Sequence, residues 1–250
     1  MKKFKTENLI VEIFPSRDEM GKKAAEDISC KIKELLETKN ELNIIFAAAP
    51  SQNEVLKYLS LDKTVEWNRI NAYHMDEYIG LSKDAIQGFG NFLKRSIFSL
   101  VPFKSVNYIN PESNPEEEAE RYGKMIDNNP PDIVVMGIGE NGHIAFNDPG
   151  VADFNDEKTV KAVELDDICR NQQVNDGCFQ KIDDVPKYAL TLTVPTLMKA
   201  QYRFCIVPAK TKAEAVKNTV KGVIGEWCPA TCLRIYGGTM YLDKDSSSLI

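Results

Sequence analysis

The apolar positions of this chain fall into two rhythms that take turns along it. Leu42 to Ala49, Ile70 to Met75, Ile133 to Ile138, Tyr188 to Val194 and Phe204 to Val207 are short runs rich in apolar and branched residues. That pattern predicts strands, covered on both faces at Leu42 to Ala49, Ile133 to Ile138 and Phe204 to Val207, with Tyr188 to Val194 a candidate. Val160 to Leu165 and Met240 to Leu242 are shorter strand candidates. Between the runs, apolar residues recur at helical spacing. From Ser16 to Lys39, one face carries Ala24, Ala25, Ile28, Ile32, Leu35 and Leu36, and Ser16 with Glu19 makes a capping box. Ser51-x-x-Glu54 and Thr211-x-x-Glu214 repeat the capping pattern and predict helices to Leu59 and to the neighbourhood of Lys221. Gly88 to Leu100 reads as a helix with an aromatic face. Asn114 caps another, with Pro115 at its first position and Glu116 to Glu118 in the first turn, where the helix dipole favours negative charge. Pro195 to Lys199 reads as a short helix. Asp166 to Phe179 fits neither rhythm, and Asp243 to Ser248 reads as a frayed polar end.

Strands alternating with helices predict an α/β fold, a doubly wound and mostly parallel sheet with helices on both faces, in one domain over 1–250. Such sheets bind ligands outside the carboxyl ends of their strands. Four segments meet that condition: Ala47 to Gln52, Asp76 to Tyr78, Gly139 to Asp148 and Ala209 to Lys212.

Composition narrows the choice of ligand. Hydrophobic residues make up 43% and charged residues 27%, ordinary values for a globular protein. A formal charge of −6 leaves no basic excess for general nucleic-acid binding, though a local basic pocket is compatible with it. No apolar stretch reaches membrane-span length, and the N-terminal apolar run breaks at Glu12, unlike a signal peptide. The six cysteines form no CxxC pair, so reduced thiols in the cytoplasm are expected. No metal or cofactor is expected, because no ligand cluster appears at metal-site spacing. Oligomeric state stays open, a homo-oligomer included.

The chemistry concentrates after four of the strands. GIGENGHIAFNDPG (137–150) is a glycine-punctuated loop holding His143, one of only two histidines, with Glu140, Asn141 and Asp148 around it. Gly139 lets the backbone approach something bound. Asp76 and Glu77 are adjacent carboxylates, which extended backbone sends to opposite sides, so one can face a ligand while the other holds the loop. Ser51 opens a helix whose free N–H groups suit an anion. Lys212 stands in a helix's first turn, against the dipole, as if serving an anion there. Arg170, Gln172 and Gln173 could bond sugar hydroxyls or phosphate. His74 reads as a packed strand residue.

MDEYIG (75–80), GIGENGHIAFNDPG (137–150), VPKYALTLTVPTL (185–197) and VPAKTKAEAV (207–216) together resemble the glucosamine-6-phosphate deaminase/isomerase family, related to the 6-phosphogluconolactonases. The resemblance implies a Rossmann-like fold acting on a hexose 6-phosphate. It implies Asp76 as the base moving a proton from C2 to C1, and His143 as the group that opens the sugar ring. Glu77 would support them. Ala48, Ala49, Ser51 and Gln52 would form the phosphate loop with Gly139, and Lys212 would be a phosphate ligand. The chain departs from the family's pattern at Asn141, where an aspartate is usual, and at Asp148, where a glutamate is usual. It departs again at Gln173, where an arginine is expected, which leaves Arg170 as a substitute. The loop AAAPSQNE replaces a glycine- and threonine-rich one. An uncharged Asn141 favours a histidinium less than aspartate does. The expected activity is conversion of an amino-sugar 6-phosphate to a ketose 6-phosphate with release of ammonia. Lactone hydrolysis, isomerisation of another sugar phosphate, and binding without chemistry remain open alternatives.

Overall fold

The computed structural model describes residues 2–175 and 177–250. The chain opens with a hairpin, β1 (Lys2–Thr6) and β2 (Leu9–Phe14), followed by α1 (Arg17–Leu36) and β3 (Leu42–Phe46). Next come α2 (Asn53–Leu61), β4 (Ile70–His74), β5 (Asp76–Tyr78), α3 (Phe89–Leu93), β6 (Ser105–Asn107) and α4 (Pro115–Asn128). Then β7 (Ile133–Met136), β8 (Val160–Glu164), α5 (Asp167–Asn175), β9 (Tyr188–Leu192) and α6 (Val194–Met198). The last elements are β10 (Tyr202–Val207), α7 (Ala213–Lys221), α8 (Cys232–Tyr236) and β11 (Gly238–Asp243).

Among the described residues the main sheet has eight strands in the order β1-β2-β11-β10-β7-β3-β4-β6, all parallel to their neighbours except the β1–β2 pair. Its strands alternate their side chains between two cores. Ile44, Phe46, Ile133, Val135 and Ile206 pack with α1 and α2 on one face. Ile45, Val134, Met136, Cys205 and Val207 pack with α4, α6 and α7 on the other. Apolarity on both faces is what makes these runs continuous in the sequence. From β3 the strand order runs outward through β4 to β6, and α4 then carries the chain back across to β7. The order therefore reverses between β3 and β7, which opens a crevice at their carboxyl ends.

Several expectations are corrected here. A second, three-stranded antiparallel sheet, β5-β9-β8, stands beside the main one. It takes the Asp76–Tyr78 segment as a strand, along with the Val160 and Tyr188 runs. Asp166 to Phe179, which fits neither rhythm, contains α5, a helix of weak amphipathicity. The helix expected over Gly88 to Leu100 is α3 for one turn and then a π-helical segment, Lys94–Phe98. The polar end is not frayed: Asp243 and Ser246 are buried. Ser16 and Asn114 do cap α1 and α4, each accepting from first-turn N–H groups.

Candidate active site

A cleft of about 350 Å³ lies at the carboxyl ends of β3, β4, β7 and β10, a volume within the range of small-molecule sites. Each of these strands delivers part of the wall. Ala48, Ala49, Ser51 and Gln52 follow β3, and Asp76 follows β4. Gly139 and His143 follow β7, and Lys212 follows β10. Gln173 reaches the wall from α5. Gln172 lines it too, so ten of the residues singled out from sequence share one cavity.

One end of the cleft is built for an anion. The loops after β3 and β10 each make a single 3-10 turn, Pro50–Gln52 and Lys210–Lys212, leading into α2 and α7. The capping boxes expected at Ser51 and Thr211 do not form, because those residues lie inside the turns rather than at their heads. Glu54 pairs instead with Arg17 at 2.7 Å, and Glu214 with Lys217 at 3.3 Å. Among the described residues neither α2 nor α7 has a side-chain cap, so their starts keep the positive potential that takes anions. Lys212 is 5% exposed here. Gln52 is wholly buried; its Nε2 donates to Ser51 Oγ at 3.0 Å and to the Ile206 carbonyl at 3.2 Å. Its Oε1 has no partner among the described residues. A Cβ on Gly137 would meet that Nε2 at 2.9 Å, so glycine there makes room for the cradle.

Asp76 occupies another wall. The chain leaves β4 at His74, bends at Met75 and crosses to the small sheet, where Asp76 pairs with Thr191. His74 fixes this crossing. Its Nε2 accepts from the Ile109 N–H at 2.9 Å, so its proton sits on Nδ1, which donates to the Asp76 carbonyl at 2.9 Å. Burial holds its pKa down to about 4, leaving it neutral. The Asp76 carboxyl is pushed well above the usual carboxylate range, by burial first and by Glu77 second. Glu77 points the other way and grips the start of α3. One oxygen accepts from the Tyr78 and Phe89 N–H groups, both at 3.0 Å, and the other from Gly90 at 2.9 Å. Burial raises its pKa, and these bonds offset part of that rise.

His143 lies over Gly139, where any Cβ would fall 2.2 to 2.3 Å from imidazole atoms. Behind the ring, Asp148 Oδ1 stands 2.9 Å from Nδ1. Asn141 joins the pair: its Nδ2 donates to the same Asp148 oxygen at 2.8 Å, and its Oδ1 accepts from the His143 N–H at 3.0 Å. Burial pushes the Asp148 carboxyl up, but His143, Asn141 and the Cys169 thiol outweigh it and hold the group below its ordinary range. Asn147, fully buried, bonds the Ile144 and Leu192 carbonyls and locks the loop onto β9. Folding also brings His143, Asp148 and Cys169 into a group whose ligand atoms lie within 4.8 Å of one another, a cluster invisible in the spacing. Burial, then the Asp148 and Asp166 charges, push the Cys169 thiol far up, so it is protonated and bonds Asp148.

Glu77, Asn141 and Asp148 therefore support the wall from behind rather than line it. Arg170 does neither. Its guanidinium bonds Asp167 at 3.1 Å and the Ile182 and Val185 carbonyls at 2.7 and 3.1 Å, and it lines no part of the cleft. It cannot stand in for the arginine missing at 173. Two cations that do line the cleft were missed, Arg17 and Arg95. Arg17 opens α1, another cation set against a helix dipole, so the signal that marked Lys212 was present there too. It donates to the Pro50 carbonyl and so ties the β3 loop to α1. Arg95 lies on the π-helical segment and bonds the Ile86 carbonyl at 2.9 Å; nothing in its sequence context marks it.

A switch-point cleft walled by buried acid/base groups and a helix-start anion cradle defines an α/β protein shaped for a small phosphorylated or carboxylated ligand. The chain belongs to the family of glucosamine-6-phosphate isomerases and 6-phosphogluconolactonases, whose profile matches residues 15–241. A glucosamine-6-phosphate deaminase of Bacillus thuringiensis (strain Al Hakam) is 34% identical over 220 residues, 87% of this chain and 82% of that protein. The solved structure of a monomeric glucosamine-6-phosphate deaminase is similar with a TM-score of 0.87 at 27% identity, covering 96% of this chain and 99% of that one. A 6-phosphogluconolactonase from Thermotoga maritima shares the fold, with a TM-score of 0.74 at 20% identity over 93% and 98% of the two chains.

Proposed function

We propose that the chain is an enzyme that converts glucosamine 6-phosphate, or a close amino-sugar relative, to the ketose 6-phosphate with release of ammonia. The observation that carries this reading is the meeting of Asp76, His143 and Lys212, from three separate strand ends, on one cleft. The phosphate sits at the starts of α2 and α7 with Lys212, and that grip orients the sugar toward the far wall. His143, backed by Asp148 and Asn141, exchanges the proton that opens the pyranose ring and exposes an aldehyde at C1. Asp76 then takes the C2 proton, which the neighbouring carbonyl has made acidic, and returns it to C1. The carbon left at C2 is an iminium; water adds there, and ammonia leaves.

The raised Asp76 pKa fits this work, since a carboxylate with an elevated pKa is the stronger base. Asp148 stays ionised, and its charge compensates for the uncharged Asn141 beside the imidazole. The residues invoked need no metal for these steps. The setting expected is cytoplasmic; among the described residues no helix is long and apolar enough to cross a membrane. A panel run on one preparation tests the reading: ammonia release from glucosamine 6-phosphate, aldose–ketose interconversion without ammonia, and hydrolysis of 6-phosphogluconolactone. Ammonia release is the expected result. Activity on the lactone alone would overturn the proposal in favour of the other branch of the family, and stabilisation by hexose phosphates without any turnover would favour a binding protein.

A further inference from the structure

Two non-glycine residues on the cleft wall have left-handed backbone, Ala145 at φ 51° and Ala209 at φ 81°. Ala209 is the more extreme: with ψ at 148° it lies in a region essentially reserved for glycine. It immediately precedes the Lys210–Lys212 turn. A conformation this unfavourable persists only where its surroundings impose it. Here the imposing group is Asp243, 3% exposed at the end of β11. In the parallel β10–β11 register Leu242 faces Val207, so Asp243 falls beside the residues that leave β10. Its Oδ2 accepts from the Ala209 N–H at 3.0 Å. Its Oδ1 accepts from the Asp245 N–H at 3.1 Å and the Ser246 N–H at 2.7 Å, and Ser246 Oγ in turn accepts from the Asp243 N–H at 3.2 Å. The polar end of the chain thus folds into a turn around this one carboxylate.

We propose that Asp243 is a positioning residue of the phosphate cradle, holding Ala209 in its left-handed conformation so that the Lys210–Lys212 turn and the start of α7 are presented to the cleft. The inference rests on the phosphate reading above. The chemistry requires a carboxylate. All the groups that Asp243 accepts from through its side chain are N–H donors, on both oxygens, and an amide would turn its own NH₂ against one of them. Asp243 touches no substrate; it acts through the backbone of Ala209.

In Asp243→Asn, the KM for glucosamine 6-phosphate should rise by about tenfold while kcat stays within about threefold, the signature of lost ground-state binding. Adding Ala209→Gly to that variant should bring KM back toward the parent value, because glycine takes the same φ without strain. A merely structural role for Asp243 predicts no such rescue. Should Asp243→Asn fail to fold, Ala209→Val with Asp243 intact decides the matter: a branched residue cannot hold this backbone, and KM should rise in the same way. Unchanged KM in Asp243→Asn or in Ala209→Val, or a double variant no better than the single, overturns the inference. Lys212→Ala separates the two levels. If it raises KM while the Asp243 and Ala209 variants do not, the cradle stands and the inference falls. If it leaves KM unaltered, the cradle reading falls and the inference with it.

Discussion

Asp76 is held between two demands. As the proposed base it must be ionised, yet burial and Glu77 raise its pKa well above the ordinary carboxylate value. A raised folded-state pKa means that the folded protein binds this proton more tightly than the unfolded chain does. Stability is therefore lost as pH rises from the unfolded pKa through the folded one. Asp76→Asn removes that penalty. It should raise the melting temperature at pH 7.5 and change it little near pH 4, while lowering kcat by about 100- to 10,000-fold. Differential scanning calorimetry and an ammonia assay read the two effects, and a variant both less stable and still active would contradict this account of the residue. The same raised pKa places the acid limb of kcat/KM above the pH at which an ordinary aspartate titrates. Gly139 faces a purely steric demand. Gly139→Ala drives a methyl into the imidazole of His143 and should lower kcat by at least tenfold through misplacement of that ring.

The bend between β4 and β5 carries its own pH sensor. His74 is buried and neutral, with a pKa of about 4 against 6.5 in the open, so between those values the unfolded chain binds the extra proton. Stability should rise with pH across that window and fall by about 3 kcal/mol as pH drops from 6.5 to 4. Urea titrations of the parent and of His74→Gln at pH 7 and pH 5 check this: the parent should lose stability between them, and the variant should lose less. The helix starts at the cleft make a second element-level prediction. Removing a working N-cap costs about 1 kcal/mol. Ser51 caps nothing but accepts from the buried Gln52 Nε2, so Ser51→Ala should cost about 1 kcal/mol through that one hydrogen bond, leave the helicity of α2 unchanged, and raise KM for the phosphorylated sugar. These elements also mark the limit of what the sequence reveals. The parallel strands were legible because burial on both faces makes them continuously apolar. The capping boxes were misread because a 3-10 turn moves Ser51 and Thr211 off the cap position, and no local pattern signals that shift. The small sheet was missed because Asp76–Tyr78 is three residues long and its pairing with Tyr188–Leu192 is set by tertiary contact. Among site residues, Asp76, His143 and Lys212 were legible from chemistry at strand ends, whereas Arg170 showed its role only through the carbonyls it binds.

The whole chain carries a formal charge of −6, yet Arg17, Arg95 and Lys212 all line the cleft at the strand ends. A cationic cleft in an acidic surface focuses anions locally without making the protein a polyanion binder. The KM for a sugar phosphate should therefore rise with ionic strength, while the KM-independent kcat moves little; a salt-insensitive KM would argue against phosphate as the anchored group. The two cores on either face of the sheet hold β3, β4, β7 and β10 side by side, and it is their shared carboxyl edge that brings residues from distant parts of the sequence to one cleft. That convergence is the central claim, and a crystal structure with 2-amino-2-deoxyglucitol 6-phosphate tests it most directly. The account predicts the phosphate at the starts of α2 and α7 within hydrogen-bond reach of Lys212, with the Asp76 carboxylate beside C2. A phosphate bound elsewhere, or a C2 beyond the reach of Asp76, would contradict it.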